Sequence, residues 1–271
     1  MLNAMKDISH SLGLRLIDDL VADGSTHFTF EEAKQRLGRS PSATANLLRR
    51  MMAHGFVDRV RRGHYMIRRL GVLGTRAAAE DLATIVAPVF SGYSHRLAYR
   101  TALDEHDLVA HPVRTIYVAS TRRMRVKNLS GRPLRTVFEP EEVIRIGAVS
   151  HGPSWISGLE RTLLDAAARP DLSGGAAVLA AAIAAAASKI NPGNLTLYAE
   201  QLRWGAALRR IGTVADAMGV EGLDGKLAPL KPPVADLELE PGSGTSSVWR
   251  DSRWRVRWAQ SPAELANVVR Q

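Results

Sequence analysis

The stretch LLRRMMAHGFVDRVRRGHYMIRR, residues 47–69, changes its periodicity at Gly55, and that change limits what the chain can fold into. Up to Gly55 the apolar positions recur at helical spacing. Beyond it FVDRV and HYMIR read as extended segments, separated by Arg61-Arg62-Gly63, a glycine-containing turn. A helix running directly into a short β-hairpin leaves few folds open.

The residues upstream narrow them further. Leu12, Leu16, Ile17, Leu20 and Val21 form one apolar stripe, which predicts an amphipathic helix ended by Ala-Asp-Gly-Ser. In HFTFEEAKQRLG, Thr29 stands three residues before Glu32, a capping box in which each side chain serves the other's backbone amide. That helix is expected to stop at Gly38. Ser40-Pro41 then opens a third helix over 41–54, with Ser as N-cap and Pro where a missing N–H costs nothing. Its buried side is expected to hold Leu48 and Met51, with Leu47 and Thr44 at the flank. Its outward side holds Ser42, Asn46, Arg49 and Arg50. Helix, helix, tight turn, helix, hairpin is the order of a winged helix-turn-helix, predicted for residues 1–75.

Charge points to what that domain touches. Lys34 to Arg69 contains ten basic residues and one acid, Asp58, whereas the rest of the chain holds 26 of each and sums to zero. A charge gathered on one window of a neutral body is the footprint of a surface for a polyanion. Winged helices also serve as protein-contact modules, but such modules have no need to collect the whole net charge on the third helix and wing. Double-stranded DNA is therefore the expected partner. Ser42, Asn46, Arg49 and Arg50 are placed to read base edges in a major groove. Arg39, Arg59, Arg61 and Arg62 supply phosphate contacts, and Ser40 and His64 complete the candidate set.

From about Thr75 the composition changes, and residues 76–271 are expected to form an α+β domain. TRAAAEDLATIVAPVF and SHRLAYRTALDEHDL read as helices. VRTIYVAS (113–120), RTVFEP (135–140) and EVIRIGAVS (142–150) read as strands. Helices are expected near 157–169, 175–189, 194–203 and 205–218. A Pro/Gly-rich connection over 229–247 leads to a terminal hairpin strand in WRDSRWRVRW, where Trp249, Trp254 and Trp258 are assigned to strand packing. In SGLERTLLD, Ser157 and Glu160 are expected to form another capping box, and Arg161 and Asp165 to pair across one turn.

Nothing in this second part reads as catalysis. No G-x-S-x-G elbow, P-loop or G-x-G-x-x-G occurs, and His95, His106, His111 and His151 lack metal-ligand spacing. The chain of 271 residues contains no cysteine, so it has neither a disulfide framework nor a thiolate metal site. The Ala-rich run 176–187 is too short to span a bilayer and reads as a core helix. The sequence thus predicts a cytoplasmic, non-enzymatic protein without cofactor or metal and without membrane attachment.

The order of these features resembles the AbiEi family of antitoxins. The matching segments are the basic wing RRGHYMI, SHRLAYRTALDEHDLV, TIYVAS, LERTLLDAAARPDLSGG, NLTLYAEQLRWGAALRRIG and RWRVRW, which together span roughly residues 8–260. The resemblance implies a protein that binds inverted repeats in its own promoter and represses its operon. It also implies a C-terminal domain that counteracts a nucleotidyltransferase-like toxin, directly or functionally, and two protomers paired in solution or on DNA. It places the DNA-reading role on Ser42, Asn46, Arg49, Arg50, Arg59, Arg61 and Arg62. Glu160, Arg161 and Asp165 follow as a family signature without assigned chemistry. The wing is very short, which favours phosphate contact over minor-groove insertion. The alternative is a one-component regulator whose C-terminal domain senses a small molecule.

Overall fold

A computed structural model describes residues 2–68, 81–110, 112–124, 126–220, 222–223, 225–242 and 247–270. The chain packs as two compact units, Met1–Gly92 with Met124–Leu134, and Tyr93–Arg123 with Arg135–Gln271. The predicted composition boundary at residue 75 lies outside the described residues.

The first unit is built from α1 (Leu2–Ala22), β1 (His27–Thr29), α2 (Phe30–Leu37), α3 (Pro41–Ala53), β2 (Val57–Arg61), β3 (His64–Ile67) and the short α4 (Leu82–Val86). Of the expected helix over 75–90, residues 75–80 lie outside the described residues and only Leu82–Val86 is helical. The three strands form an antiparallel sheet in the order β1-β3-β2. Leu16, Leu20, Phe28, Ala33, Leu47, Leu48, Met51, Val57, Tyr65 and Ile67 make one buried core, in which the rings of Phe28 and Tyr65 stack with centres 5.6 Å apart. Strand β1 has no counterpart in the sequence reading. It is three residues long, too short for a period, and exists because His27, Phe28 and Thr29 pair with Met66, Tyr65 and His64. Just beyond it, the Phe30 amide donates to the Gly63 carbonyl at 2.7 Å, tying the start of α2 to the wing turn.

The second unit contains β4 (His95–Leu97), α5 (Tyr99–Glu105) and β5 (Ile116–Ser120). After β6 (Asn128–Leu129), whose hairpin with the first residues of β7 belongs to the first unit, come β7 (Arg132–Phe138), α6 (Glu141–Ile144), β8 (Ala148–His151) and β9 (Ser154–Ser157). The helices α7 (Leu159–Ala168), α8 (Pro170–Ser173), α9 (Gly175–Ala186), α10 (Pro192–Gln201) and α11 (Gly205–Met218) follow. The described chain closes with β10 (Leu237–Glu238), β11 (Trp249–Asp251), β12 (Val256–Trp258) and α12 (Pro262–Arg270). The larger sheet runs β7-β5-β4-β9-β8, with β4 parallel to β9 and antiparallel to β5. A second sheet, β10-β12-β11, carries the C-terminal tryptophans.

The apolar core lies among α7, α9 and α11, where Leu163, Leu179, Ile183, Leu208, Ile211 and Val214 are buried with Trp254 and Trp258. The Ala-rich α9 belongs to this core. Trp249 meets Trp258 edge-on at 4.9 Å, so the aromatic residues of the last strands do pack. Gly212 makes the closest approach possible, because a methyl group there would lie 2.1 Å from the Trp254 ring.

Three expectations are corrected. SHRLAYRTALDEHDL is not one helix: His95–Leu97 is a strand buried at all three positions between β5 and β9, and α5 begins at Tyr99. EVIRIGAVS is not one strand, because Glu141–Ile144 forms a helical turn and only Ala148–His151 is extended. Ser157 and Glu160 do not form a capping box. Gly158 is the N-cap of α7 without any side-chain cap, while the Ser157 hydroxyl donates to Asp165 and Glu160 accepts from the Asn191 amide. In each case a contact distant in sequence overrides the local pattern. Helix α12 was not anticipated.

Candidate nucleic-acid interface

Two local devices set the exposed helix of the first unit. At α2, Thr29 accepts from the Glu32 amide at 3.2 Å and Glu32 accepts from the Thr29 amide at 2.6 Å, completing the predicted box. These bonds hold the Glu32 pKa below the ordinary carboxylate value. Gly38 ends α2 with φ 58°, the left-handed conformation that suits glycine. Ser40 then caps α3 by accepting from the Ala43 amide at 3.3 Å, with Pro41 in the first turn. The turn between α2 and α3 is therefore held from both sides.

With its ends fixed, α3 buries Thr44, Leu47, Leu48 and Met51. Ser42, Asn46, Arg49 and Arg50 lie exposed on the other side. The Ser40 hydroxyl is occupied by the cap, and the Ser42 hydroxyl lies 3.2 Å from it. Across the wing, Arg59 and Arg62 are exposed, and Gly63 makes the turn with φ 78°. His64 is half-buried and already engaged in contacts of its own. Arg39 is exposed at the turn before α3. The side chain of Arg61, and Arg69 altogether, lie outside the described residues. A shallow groove between α3 and the wing is lined by Ala45, Arg49, Met52, Arg59, Arg62, Gly63, His64 and Tyr65, and by Thr29, Phe30 and Glu31.

The acids near this surface are already matched. Glu31 pairs with Lys34 at 2.6 Å, Asp23 with Arg36 at 2.7 Å and Asp58 with Arg68 at 2.5 Å. Among the described residues, Arg39, Arg49, Arg50, Arg59 and Arg62 form no ion pair. What reaches solvent is a set of uncompensated guanidinium groups on one helix and one hairpin. Such groups suit phosphate oxygens and the acceptor edges of guanine.

Residues 15–68, the span of these helices and strands, match a family model described as "Transcriptional regulator, AbiEi antitoxin". Over that span the first unit is similar to the AbiEi regulators. Beyond that span the likeness is one of fold. The crystal structure of the RV2827C protein from Mycobacterium tuberculosis superposes with a TM-score of 0.67 at 15% identity, covering 96% of this chain and 95% of that one. No curated protein sequence matches the chain.

Outside the winged helix, the expected pairing of Arg161 with Asp165 is present at 2.8 Å, as part of a larger buried network. Arg96 from β4 donates to Glu139 at 2.7 Å and to Asp165 at 3.0 Å. Arg161 donates to Glu139 at 2.9 Å, Tyr99 donates to Glu139 at 3.0 Å, and Ser157 donates to Asp165 at 2.7 Å. Arg161 also binds the carbonyls of Val143 and Ile146, ending α6, and lies over the Trp204 ring. Two guanidinium groups and two carboxylates thus meet with no net charge, and every carboxylate oxygen is engaged. Burial works against the charge on Asp165, but Arg96 and Arg161 outweigh it and hold the pKa below the ordinary value. Arg96 and Glu139 lie far from LERTLLD in sequence, so only the fold reveals them. The network joins β4, β9, α7 and the segment after β7. It is a clamp in which both carboxylates are held by partners from within the unit.

The histidines are similarly occupied. His95 is buried, with Nδ1 donating to the Tyr93 carbonyl at 3.0 Å and Nε2 facing the Ser154 hydroxyl at 2.8 Å. Burial and the Arg145 charge lower its pKa. His106 binds the Ser157 carbonyl at 2.7 Å, and His151 faces Glu105 at 3.4 Å. His111 lies outside the described residues. No described helix is long and apolar enough to cross a membrane.

Proposed function

We propose that the chain is a DNA-binding antitoxin and autorepressor. Its N-terminal domain, residues 1–75, reads inverted repeats in its own promoter through α3 and the wing. Its C-terminal domain, residues 76–271, neutralises a nucleotidyltransferase-like toxin. It does so in the cytoplasm, without cofactor or catalysis of its own. The observation that carries this reading is the set of unpaired arginines on α3 and the wing, within the residues that match the AbiEi regulator model.

Recognition divides into two parts. Ser42, Asn46, Arg49 and Arg50 contact base edges, because they face outward from the helix that enters the groove. Arg39, Arg59, Arg61 and Arg62 contact phosphates, with Ser40 and His64 beside them. Palindromic sites require two protomers, whether joined in solution or only on DNA.

The test is fluorescence anisotropy of the purified protein on its own upstream DNA and on a scrambled duplex, across a series of salt concentrations. A preference of ~10³ or more for the upstream DNA is expected of a specific regulator. Equal binding with steep salt dependence would reduce the surface to an electrostatic footprint. Co-expression with the product of the neighbouring gene tests the other half. Restored growth supports the antitoxin reading, and continued growth arrest overturns it.

A further inference from the structure

A second cationic run lies outside the winged helix. Residues 108–138 hold seven basic residues and no acid. In the second unit, two of its arginines meet two aromatic rings at one end of the larger sheet. The Thr121 amide donates to the Ser94 carbonyl at 3.0 Å, which brings Tyr93 beside Arg122. The Arg122 guanidinium lies 4.8 Å from the Tyr93 ring centre and donates to its hydroxyl. The Glu139 amide donates to the Ser120 carbonyl at 3.0 Å, which sets Phe138 alongside the same strand end. The Arg123 guanidinium lies 5.9 Å from the Phe138 ring centre.

These groups face water. Phe138 is 49% exposed, a large apolar side chain left uncovered, and Arg122 and Arg123 are exposed. Among the described residues neither arginine forms an ion pair. Close by in sequence and space, Ser94 donates to the Glu141 carboxylate at 2.5 Å.

We propose that this cluster binds single-stranded RNA. Phe138 offers a stacking surface, and Arg122 and Arg123 supply the charge that follows a phosphate backbone. An exposed ring beside guanidinium groups selects single strands, because the bases of a duplex are already stacked on both faces. The Glu141 carboxylate decides for RNA over DNA. It repels phosphate but accepts a hydrogen bond from a 2′-hydroxyl, the group that lets a protein tell the two apart. The site lies within the second unit and does not depend on the promoter reading.

The experiment uses the full chain carrying Arg49→Ala and Arg59→Ala, which weakens duplex binding by the winged helix. Anisotropy is measured with a short fluorescein-labelled oligouridylate, the matching deoxyoligonucleotide and an unrelated duplex. The RNA is expected to bind tightest. Phe138→Leu should weaken it roughly tenfold, the effect of losing one stacked base, with duplex binding and the melting temperature unchanged. Glu141→Gln should narrow the preference for RNA over the deoxyoligonucleotide. The proposal fails if RNA does not bind saturably, if the deoxyoligonucleotide binds as tightly, or if Phe138→Leu leaves RNA affinity unchanged. It also fails if that substitution weakens duplex and RNA alike, which would make the cluster a duplex contact.

Discussion

Arg68 grips Asp58 through both nitrogens of its fork, Nη2 to Oδ1 at 2.5 Å and Nε to Oδ2 at 3.1 Å. Asp58 is the one acid in a window of ten basic residues, and this pair holds it at the base of the wing. The arginines nearer the tip therefore carry their charge undiminished. Asp58→Asn should steepen the salt dependence of duplex binding and tighten non-specific binding severalfold, while costing under about 1 kcal/mol of stability, since the pair is partly solvated. Anisotropy against salt, paired with urea unfolding, checks both. Unchanged salt dependence would mean that the released Arg68 does not meet phosphate.

The two classes of arginine should separate by sequence dependence. Arg59→Ala or Arg62→Ala is expected to weaken all duplexes alike and to flatten the salt slope by about one unit each. Arg49→Ala or Arg50→Ala should cost about 1–3 kcal/mol on the cognate site and little on a scrambled one. Titration of both duplexes with each variant decides. A uniform loss from Arg49→Ala would move that residue to the phosphate set.

Ser40 behaves differently from its neighbours because its hydroxyl caps α3. Ser40→Ala should lower stability by about 1 kcal/mol, and Thr29→Ala by a similar amount at α2, without changing base preference. Thermal melts and binding-site selection measure the two effects. A shift in base preference from Ser40→Ala would show that the hydroxyl leaves the cap to contact DNA.

The buried clamp in the second unit predicts a response to acid. Asp165 has a folded-state pKa below its unfolded value, so between those values the unfolded chain binds more protons. Its contribution is complete above the unfolded carboxylate pKa of about 4 and is lost as pH falls through the depressed folded value. Asp165→Asn leaves two buried guanidinium groups facing one carboxylate and should cost about 3–5 kcal/mol at neutral pH. It should also flatten the acid limb of stability. Urea unfolding across the acidic range compares the two proteins, and a mutant limb as steep as the wild type would exclude Asp165 as its source.

Gly212 tests the core. A Cβ there would lie 2.1 Å from the Trp254 ring, so Gly212→Ala forces a rearrangement and should destabilise by about 1–3 kcal/mol or more. Adding Trp254→Phe should recover part of the loss, because the smaller ring withdraws from the contact. Denaturant midpoints of the single and double variants give the comparison. Independent, additive losses would show that the two positions do not meet.

The winged helix was legible because its determinants are local. Thr29 with Glu32, Gly38, Ser40 with Pro41 and the turn glycine Gly63 each sit within a few residues of the groups they serve. The second unit was less so. His95–Leu97 looked helical because the residues after it are helical, and only pairing with β5 and β9 makes it a strand. Ser157 and Glu160 have capping-box spacing, yet Ser157 turns to Asp165 and Glu160 to Asn191. Arg96 meets Glu139 across 43 positions, a distance at which no periodicity informs.

The bond from the Phe30 amide to the Gly63 carbonyl has a consequence for the rate of encounter. It anchors the hairpin turn to a capped helix, so the wing does not need to become ordered when it meets a ligand. Little conformational freedom is then surrendered at contact. Association should run as fast as diffusion and charge steering allow, and differences among target sequences should appear in how long each complex lasts.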